Sequence, residues 1–258
     1  MTTVETTDDA LAAAAASLAR AGDDERVALL RRLVGQAREA ASAEAAAGVG
    51  RELRTSLTAV ASAAQLLRFR MRDDPVVEKN VGRILRETER LGRLAGALLE
   101  YGRTDALART VADPDTIWDR VIEDLRGALE SSSLKLSRTR APGHAHCAVD
   151  AERLALVFAA LLGNAADAAP DASDLTLVSE RLPDGGWRCR LTNAGPPPAR
   201  ETLDRAFDLF FTTKPGASGV GLPLARRVIE AHGGSITLAS DENGTAVTVQ
   251  LPPAHPHA

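Results

Sequence analysis

Apolar positions in the first hundred residues recur every three to four places, which is the period of a helix buried on one face. Val27, Leu30, Leu33, Val34 and Ala37 share such a face. From residue 53 the spacing becomes strict: Leu53, Leu57, Val60, Ala64 and Leu67 alternate steps of four and three. After the polar stretch "RMRDDP" at 70–75, Val77, Val81, Ile84, Thr88, Leu91, Ala95 and Leu98 do the same. The pattern predicts two heptad-type helices joined by a short turn into an antiparallel hairpin. Leu66, Leu85, Leu94 and Leu99 add apolar surface beside these stripes. One hairpin cannot cover it, so two copies are expected to form a four-helix bundle; the alternative is packing against the chain's own C-terminal half.

Pro75 is the only proline before residue 105, and Ala, Leu, Arg and Glu dominate there, which favours helix throughout. Thr7 or Asp8 is expected to cap a first helix running to about Arg20. "AGDDE" at 21–25 reads as a break, with Asp23 capping the next helix. Gly48 and Gly50 weaken that helix and read as a flexible joint ahead of "RELRTSLT" at 51–58.

Beyond "RTDALARTVADPD" at 103–115 the texture changes to mixed α/β. A helix is predicted around 114–130, extended chain over 134–150, and an apolar helix over 151–169. "LTLVSE" and "WRCRLT" flank "RLPDGG" as a β-hairpin. "GLPLARRVIEAHGG" at 221–234 is a helix closed by glycines, followed by a second hairpin, "SITLAS" and "TAVTVQLP" around "DENG". The expected fold is therefore α plus α/β: N-terminal helices and a helical hairpin, then helices layered on a mixed sheet. The boundaries read as 1–43, an N-terminal helical region for sensing or docking; 44–105, the hairpin; 106–253, the α/β domain; and 254–258, a loose tail.

Charge and composition narrow the function. The formal net charge is −4 with interspersed signs, so there is no basic footprint for nucleic acid. No run approaches the ~18 apolar residues of a membrane span. "LAAAAASLA" at 11–19 follows an acidic flank, unlike a signal peptide. A cytoplasmic protein without membrane contact is expected. Cys147 and Cys189, 42 positions apart, read as two reduced thiols rather than metal ligands. His144 and His146 read as a solvated loop, and His232 as structural.

Three separated segments carry chemistry. "LLGNAADAA" puts Asn164 on a helix, where its side-chain oxygen is a suitable hard ligand for Mg²⁺. "NAGPPP" at 193–198 follows a strand. "FDLFFTTKPGASGVGLPLARRVIEAHGG" at 207–234 supplies Gly216, Gly219 and Gly221 before a helix N-terminus, and Lys214 as a mobile cation. In this order they resemble the ATP-binding domain of bacterial sensor histidine kinases, within the wider gyrase, heat-shock-90 and MutL ATPase family. "FFTTK" and "NAADA" are most similar to nitrogen-regulatory sensor kinases. The heptad hairpin resembles that family's dimerisation and phosphotransfer domain, so the resemblance covers about 44–252.

The resemblance implies ATP or ADP with Mg²⁺ as ligand, held by Asn164, Asp167, Asn193, Gly195, Lys214, Gly216, Gly219, Gly221 and Leu222, with Asn164 on the metal. It also exposes departures. The family's phosphotransfer motif, His-Glu-Leu-Arg-Thr-Pro-Leu-Thr, falls on "RELRTSLT", which puts Arg51 where the phosphorylated histidine belongs and Ser56 where the proline does. Guanidinium, with a pKa of roughly 12.5–13.8, is no nucleophile. Glu52 and Thr55 match the residues that assist proton transfer and dephosphorylation of a partner response regulator. Asn193 replaces the adenine-reading aspartate, Pro197 a glycine, and Ala160 a second asparagine, which implies reduced affinity. The expected function is that of a pseudokinase. It would be a homodimer, unable to autophosphorylate, that regulates a response regulator receiver domain or another histidine kinase. The alternatives are a phosphatase using Glu52 and Thr55, a kinase for a histidine of another protein, and a non-enzymatic scaffold.

Overall fold

The computed structural model describes residues 23–103, 106–170, 172–214, 217–241 and 244–254, with side chains from residue 40 onward. The expected cap at Thr7 or Asp8, Gly216 and the final four residues lie outside the described residues.

Helix α1 (Asp23–Arg70) is continuous over 48 residues. It passes through Gly48 and Gly50 without interruption, so the expected joint is absent. Gly50 serves packing instead. A Cβ there would sit 2.9 Å from the carbonyl oxygen of Ala95 and 3.0 Å from Leu99 Cγ, on the facing helix α2 (Pro75–Tyr101). Gly102, just past α2, is as tight: its Cβ would meet Ala43 O at 2.5 Å and Ala47 N at 3.0 Å. Buried Ala43, Ala46, Ala47 and Ala95 continue this seam of small residues, which lets the two backbones approach closely. The turn between the helices ends in an N-cap, with Asp74 Oδ1 accepting from the backbone N–H of Val76 (2.8 Å) and Val77 (3.3 Å), and Pro75 at the first helical position.

The rest of the hairpin is thinly covered. Val81, Thr88 and Leu98 are buried, but Val60, Leu66, Leu67, Phe69, Met71, Val76 and Ile84 are exposed, Phe69 at 77%. No helix among the described residues is long and apolar enough to cross a membrane.

The C-terminal half has a five-stranded sheet in the order β2-β4-β5-β7-β6, made of β2 (Lys135–Thr139), β4 (Asp174–Arg181), β5 (Trp187–Asn193), β6 (Ser235–Asp241) and β7 (Gly244–Leu251). All pairings are antiparallel except β2 with β4. A two-stranded ribbon, β1 (Thr110–Ala112) with β3 (Cys147–Val149), is antiparallel and was not expected from the sequence pattern. Helices α3 (Pro114–Ser131), α4 (Ala151–Ala168) and α6 (Gly221–Ala231) cover one face of the sheet, and a short α5 (Arg200–Arg205) precedes the loop leading to α6.

Period-two alternation puts Leu175 and Leu177 of β4, and Trp187, Cys189 and Leu191 of β5, into the helix layer. Trp118, Phe158 and Trp187, all fully buried, stack through the centre: the Trp118 and Phe158 rings lie 4.2 Å apart and nearly parallel. Both cysteines are free and buried, and burial pushes each thiol up to about 12. They are inert protonated thiols at neutral pH.

The two halves share one core. Ala43, Ala46, Leu98 and Tyr101 of the hairpin are contiguous with Leu154, Leu161 and Ile229 of the α/β half. Arg153 Nε lies 3.1 Å from Glu100 Oε1, a nearly buried ion pair, while Arg227 sits over the Tyr101 ring. Asp150 caps α4 and accepts from the backbone N–H of Ala108, which ties the connecting segment down.

Candidate functional site

A cleft of about 560 Å³ opens between α4, the loop before α6 and the β5–β7 part of the sheet. Its apolar wall is Leu161, Leu191, Leu238 and Val247. Strand pairing fixes this wall: Leu191 lies opposite Val247, which in turn lies opposite Leu238. One register step further, Asn193 faces Thr245, and both line the cleft. Asn193 is buried, and its Nδ2 donates to Ala194 O at 3.0 Å, which leaves Oδ1 as its free acceptor. A flat apolar wall with one directed acceptor suits an aromatic base bearing an amino group.

The other end is polar. Asn164 and Asp167, one turn apart near the end of α4, face Lys214 and the amino end of α6. Lys214 Nζ donates to Asn164 Oδ1 and to Asn164 O, both at 3.0 Å. Burial holds the ammonium below the ordinary lysine range, with Asp167 pulling in the opposite direction. Two carbonyl-type oxygens that already hold a cation are the donor set a hard divalent ion prefers, so Asn164 fits a magnesium ligand.

Glycine has separate jobs along this wall. Gly219 adopts φ +64°, and a Cβ there would strike the Phe210 carbonyl carbon at 2.5 Å. Phe210 N–H donates to Gly219 O at 2.8 Å, so this glycine is required by the loop's own backbone crossing. Gly221 is different: the nearest atom to an added Cβ is Ala160 Cβ at 3.8 Å, which leaves its backbone open to the cleft as α6 begins. Gly195, at φ +144°, packs near Ala168 O at the cleft's edge without lining it.

Of the residues singled out in the sequence, Asn164, Asp167, Asn193, Lys214, Gly219, Gly221 and Leu222 are brought together in the cleft. Arg51, Glu52 and Thr55 are not: they lie exposed on α1, and Thr55 Oγ1 donates back to Arg51 O at 3.1 Å. His144 pairs with Asp113 at 2.9 Å, and no metal-holding group of three or more His, Cys, Asp or Glu occurs among the described residues. His232 is buried, with Nε2 accepting from Asp150 N–H (2.9 Å) and Nδ1 donating to Val228 O (2.7 Å). Burial holds its pKa below the ordinary value. Sequence reasoning missed Arg93, which reaches the cleft from α2. Nothing in a heptad pattern tells such a residue from ordinary helix surface.

Residues 41–107 match the His Kinase A (phospho-acceptor) domain, and residues 149–255 match the histidine kinase-, DNA gyrase B- and HSP90-like ATPase. The sensor-like histidine kinase SenX3 of Mycobacterium tuberculosis is 30% identical over 225 residues, covering 83% of this chain and 54% of that protein. Among solved structures, full-length ShkA in complex with AMPPNP superposes with a TM-score of 0.70 at 19% identity, over 84% of this chain and 47% of that one. Histidine kinase ThkA in complex with response regulator TrrA gives a TM-score of 0.61 at 23% identity, over 90% and 64%. These two domains in this order, with sensor histidine kinase relatives, support placing the chain in the sensor histidine kinase family of two-component signalling. The chain spans about half the length of the curated relatives it matches: 44%, 54% and 42% of three of them.

Proposed function

We propose that this chain is a dimeric, nucleotide-binding regulator that cannot phosphorylate itself. The observation that carries this reading is the absence of any histidine from the matched phospho-acceptor segment, 41–107: the five histidines are His144, His146, His232, His255 and His257. Arg51 stands at the acceptor position, and a guanidinium with no free lone pair at neutral pH cannot attack a phosphoryl group. In this reading 44–105 is the dimerisation and docking unit, with the exposed apolar stripe around Leu67 and Phe69 meeting a second copy. The unit 106–253 holds ATP or ADP in a cytoplasmic setting.

Adenine lies on the Leu161–Leu191–Leu238–Val247 wall with its amino group on Asn193 Oδ1. The neutral acceptor in place of a carboxylate lowers affinity by on the order of 1 kcal/mol. Asn164 holds Mg²⁺, which neutralises phosphate charge when bound, and Lys214 swings from Asn164 to the phosphates. The partner is a response regulator receiver domain or a second kinase; ThkA bound to TrrA is the precedent on this fold. The test is incubation with γ-labelled ATP. No acid-labile phosphate is expected on the chain, whereas Arg51→His should gain it. Label on the unaltered chain would overturn the reading.

Calorimetry checks the nucleotide site. Mg·ATP should bind, with the heat lost in Asn164→Ala. At 100 times Kd, ligand should raise stability by about 2.7 kcal/mol. The exposure of Glu52 and Thr55, one turn apart on α1, favours a second activity: dephosphorylation of a partner's aspartyl phosphate through an oriented water. Thr55→Ala should abolish turnover of a phosphorylated receiver domain without changing stability.

A further inference from the structure

Three charged side chains line the cleft: Asp167, Lys214 and Arg93. Asp167 repels phosphate, and Lys214 is engaged with Asn164. Arg93 is exposed and makes no hydrogen bond or ion pair among the described residues. It is also the one lining residue that belongs to the phospho-acceptor segment, since every other lies between Ala160 and Val247.

Its position follows from helix geometry. Tyr101 of α2 lies against Arg227 of α6. Arg93 is eight residues before Tyr101, about 12 Å along α2, and Gly221 is six residues before Arg227, about 9 Å along α6. Arg93 and Gly221 line the same cleft, so α2 runs back from the Tyr101–Arg227 contact toward the cleft that Asn164 and Lys214 also line.

We propose that Arg93 is a sensor of the terminal phosphate of a nucleoside triphosphate, resting on the nucleotide-binding reading above. Its planar fork suits bidentate contact with a phosphoryl group. A diphosphate stops short of it. Because Arg93 is carried by the hairpin and the rest of the cleft by the α/β half, the contact ties the two together only when the third phosphate is present. By linkage, whatever moves the hairpin changes the preference for triphosphate over diphosphate.

The experiment is calorimetry of Mg·ATP and Mg·ADP on the full chain and on Arg93→Ala, a change at an exposed helical position that alanine favours. Loss of about tenfold or more in ATP affinity is expected, with ADP affinity within about twofold. Arg93→Lys should fall between, because it keeps the charge and loses the fork. An unchanged ATP-to-ADP ratio in Arg93→Ala, with both nucleotides still binding, overturns this proposal alone. Absence of binding of either nucleotide to the unaltered chain overturns the nucleotide reading and this proposal with it.

Discussion

The helical hairpin and the α/β half hold similar proportions of apolar residues but use them in opposite ways. In the α/β half, Trp118, Phe158, Trp187, Leu175 and Leu177 of β4, Leu191 of β5 and Leu154, Leu161 and Leu162 of α4 are buried to within a few per cent of completely. In the hairpin, the seam near the shared core reaches that level, as do Ala64 and Val81, but the distal part leaves Leu66, Leu67 and Phe69 in water. The difference teaches where each half finds its partner. A sheet with a helix layer satisfies itself, whereas two long helices bury one stripe and leave the next for another surface.

The largest effect should come from the aromatic stack. Trp118→Ala should cost about 3–5 kcal/mol in chemical denaturation. A loss below about 1 kcal/mol would mean that the α/β half is not the tightly packed unit described here. Next is the ion pair that joins the halves. Glu100→Ala removes the closer carboxylate from the nearly buried Arg153 and leaves Asp150 at 3.8 Å, which should cost about 1–3 kcal/mol and separate the unfolding of the two halves into distinct transitions. A single unshifted transition would show that the apolar contacts of Leu98 and Tyr101 join them unaided.

His232 sharpens the comparison through pH. The folded protein holds it neutral, with a pKa depressed chiefly by burial, while the unfolded chain takes up the proton near ~6.5. Below that value the unfolded state binds more protons, so stability falls as pH drops from about 6.5 toward the depressed folded value, and is flat in this group above it. The slope approaches about 1.4 kcal/mol per pH unit and should vanish in His232→Asn, read from denaturation midpoints across pH 5–8. The smallest effect on stability belongs to the hairpin tip. Phe69→Ser should change chain stability by less than about 0.5 kcal/mol yet shift sedimentation toward a single copy. Unchanged association would mean that the apolar stripe is not the surface that pairs two copies.

Legibility followed the range of the interactions. The helices over 114–131 and 151–168 and the two hairpins of the sheet were readable, because period and turn chemistry are local. The parallel pairing of β2 with β4 and the ribbon of β1 with β3 were not, since each joins segments dozens of residues apart. Gly50 looked like a hinge because glycine weakens an isolated helix; against Ala95 and Leu99 it is what allows two helices to touch. Gly219 was expected among the nucleotide-holding residues; its φ of +64° beside the backbone of Phe210 shows that the loop itself also demands a glycine there.

Most of the cleft was legible because its residues cluster in three short motifs. Arg93 was not, because its role depends on how α2 lies along α6. The helical hairpin, the α/β architecture, the motif residues of the cleft and the absence of histidine from 41–107 could be read from residue identity and near-neighbour spacing alone. Only the tertiary structure decided which glycines are structural, that Lys214 bonds Asn164, that Glu100 meets Arg153, and that a hairpin arginine enters the cleft. Such contacts join residues far apart in sequence, and their geometry is set by the packing of the whole chain.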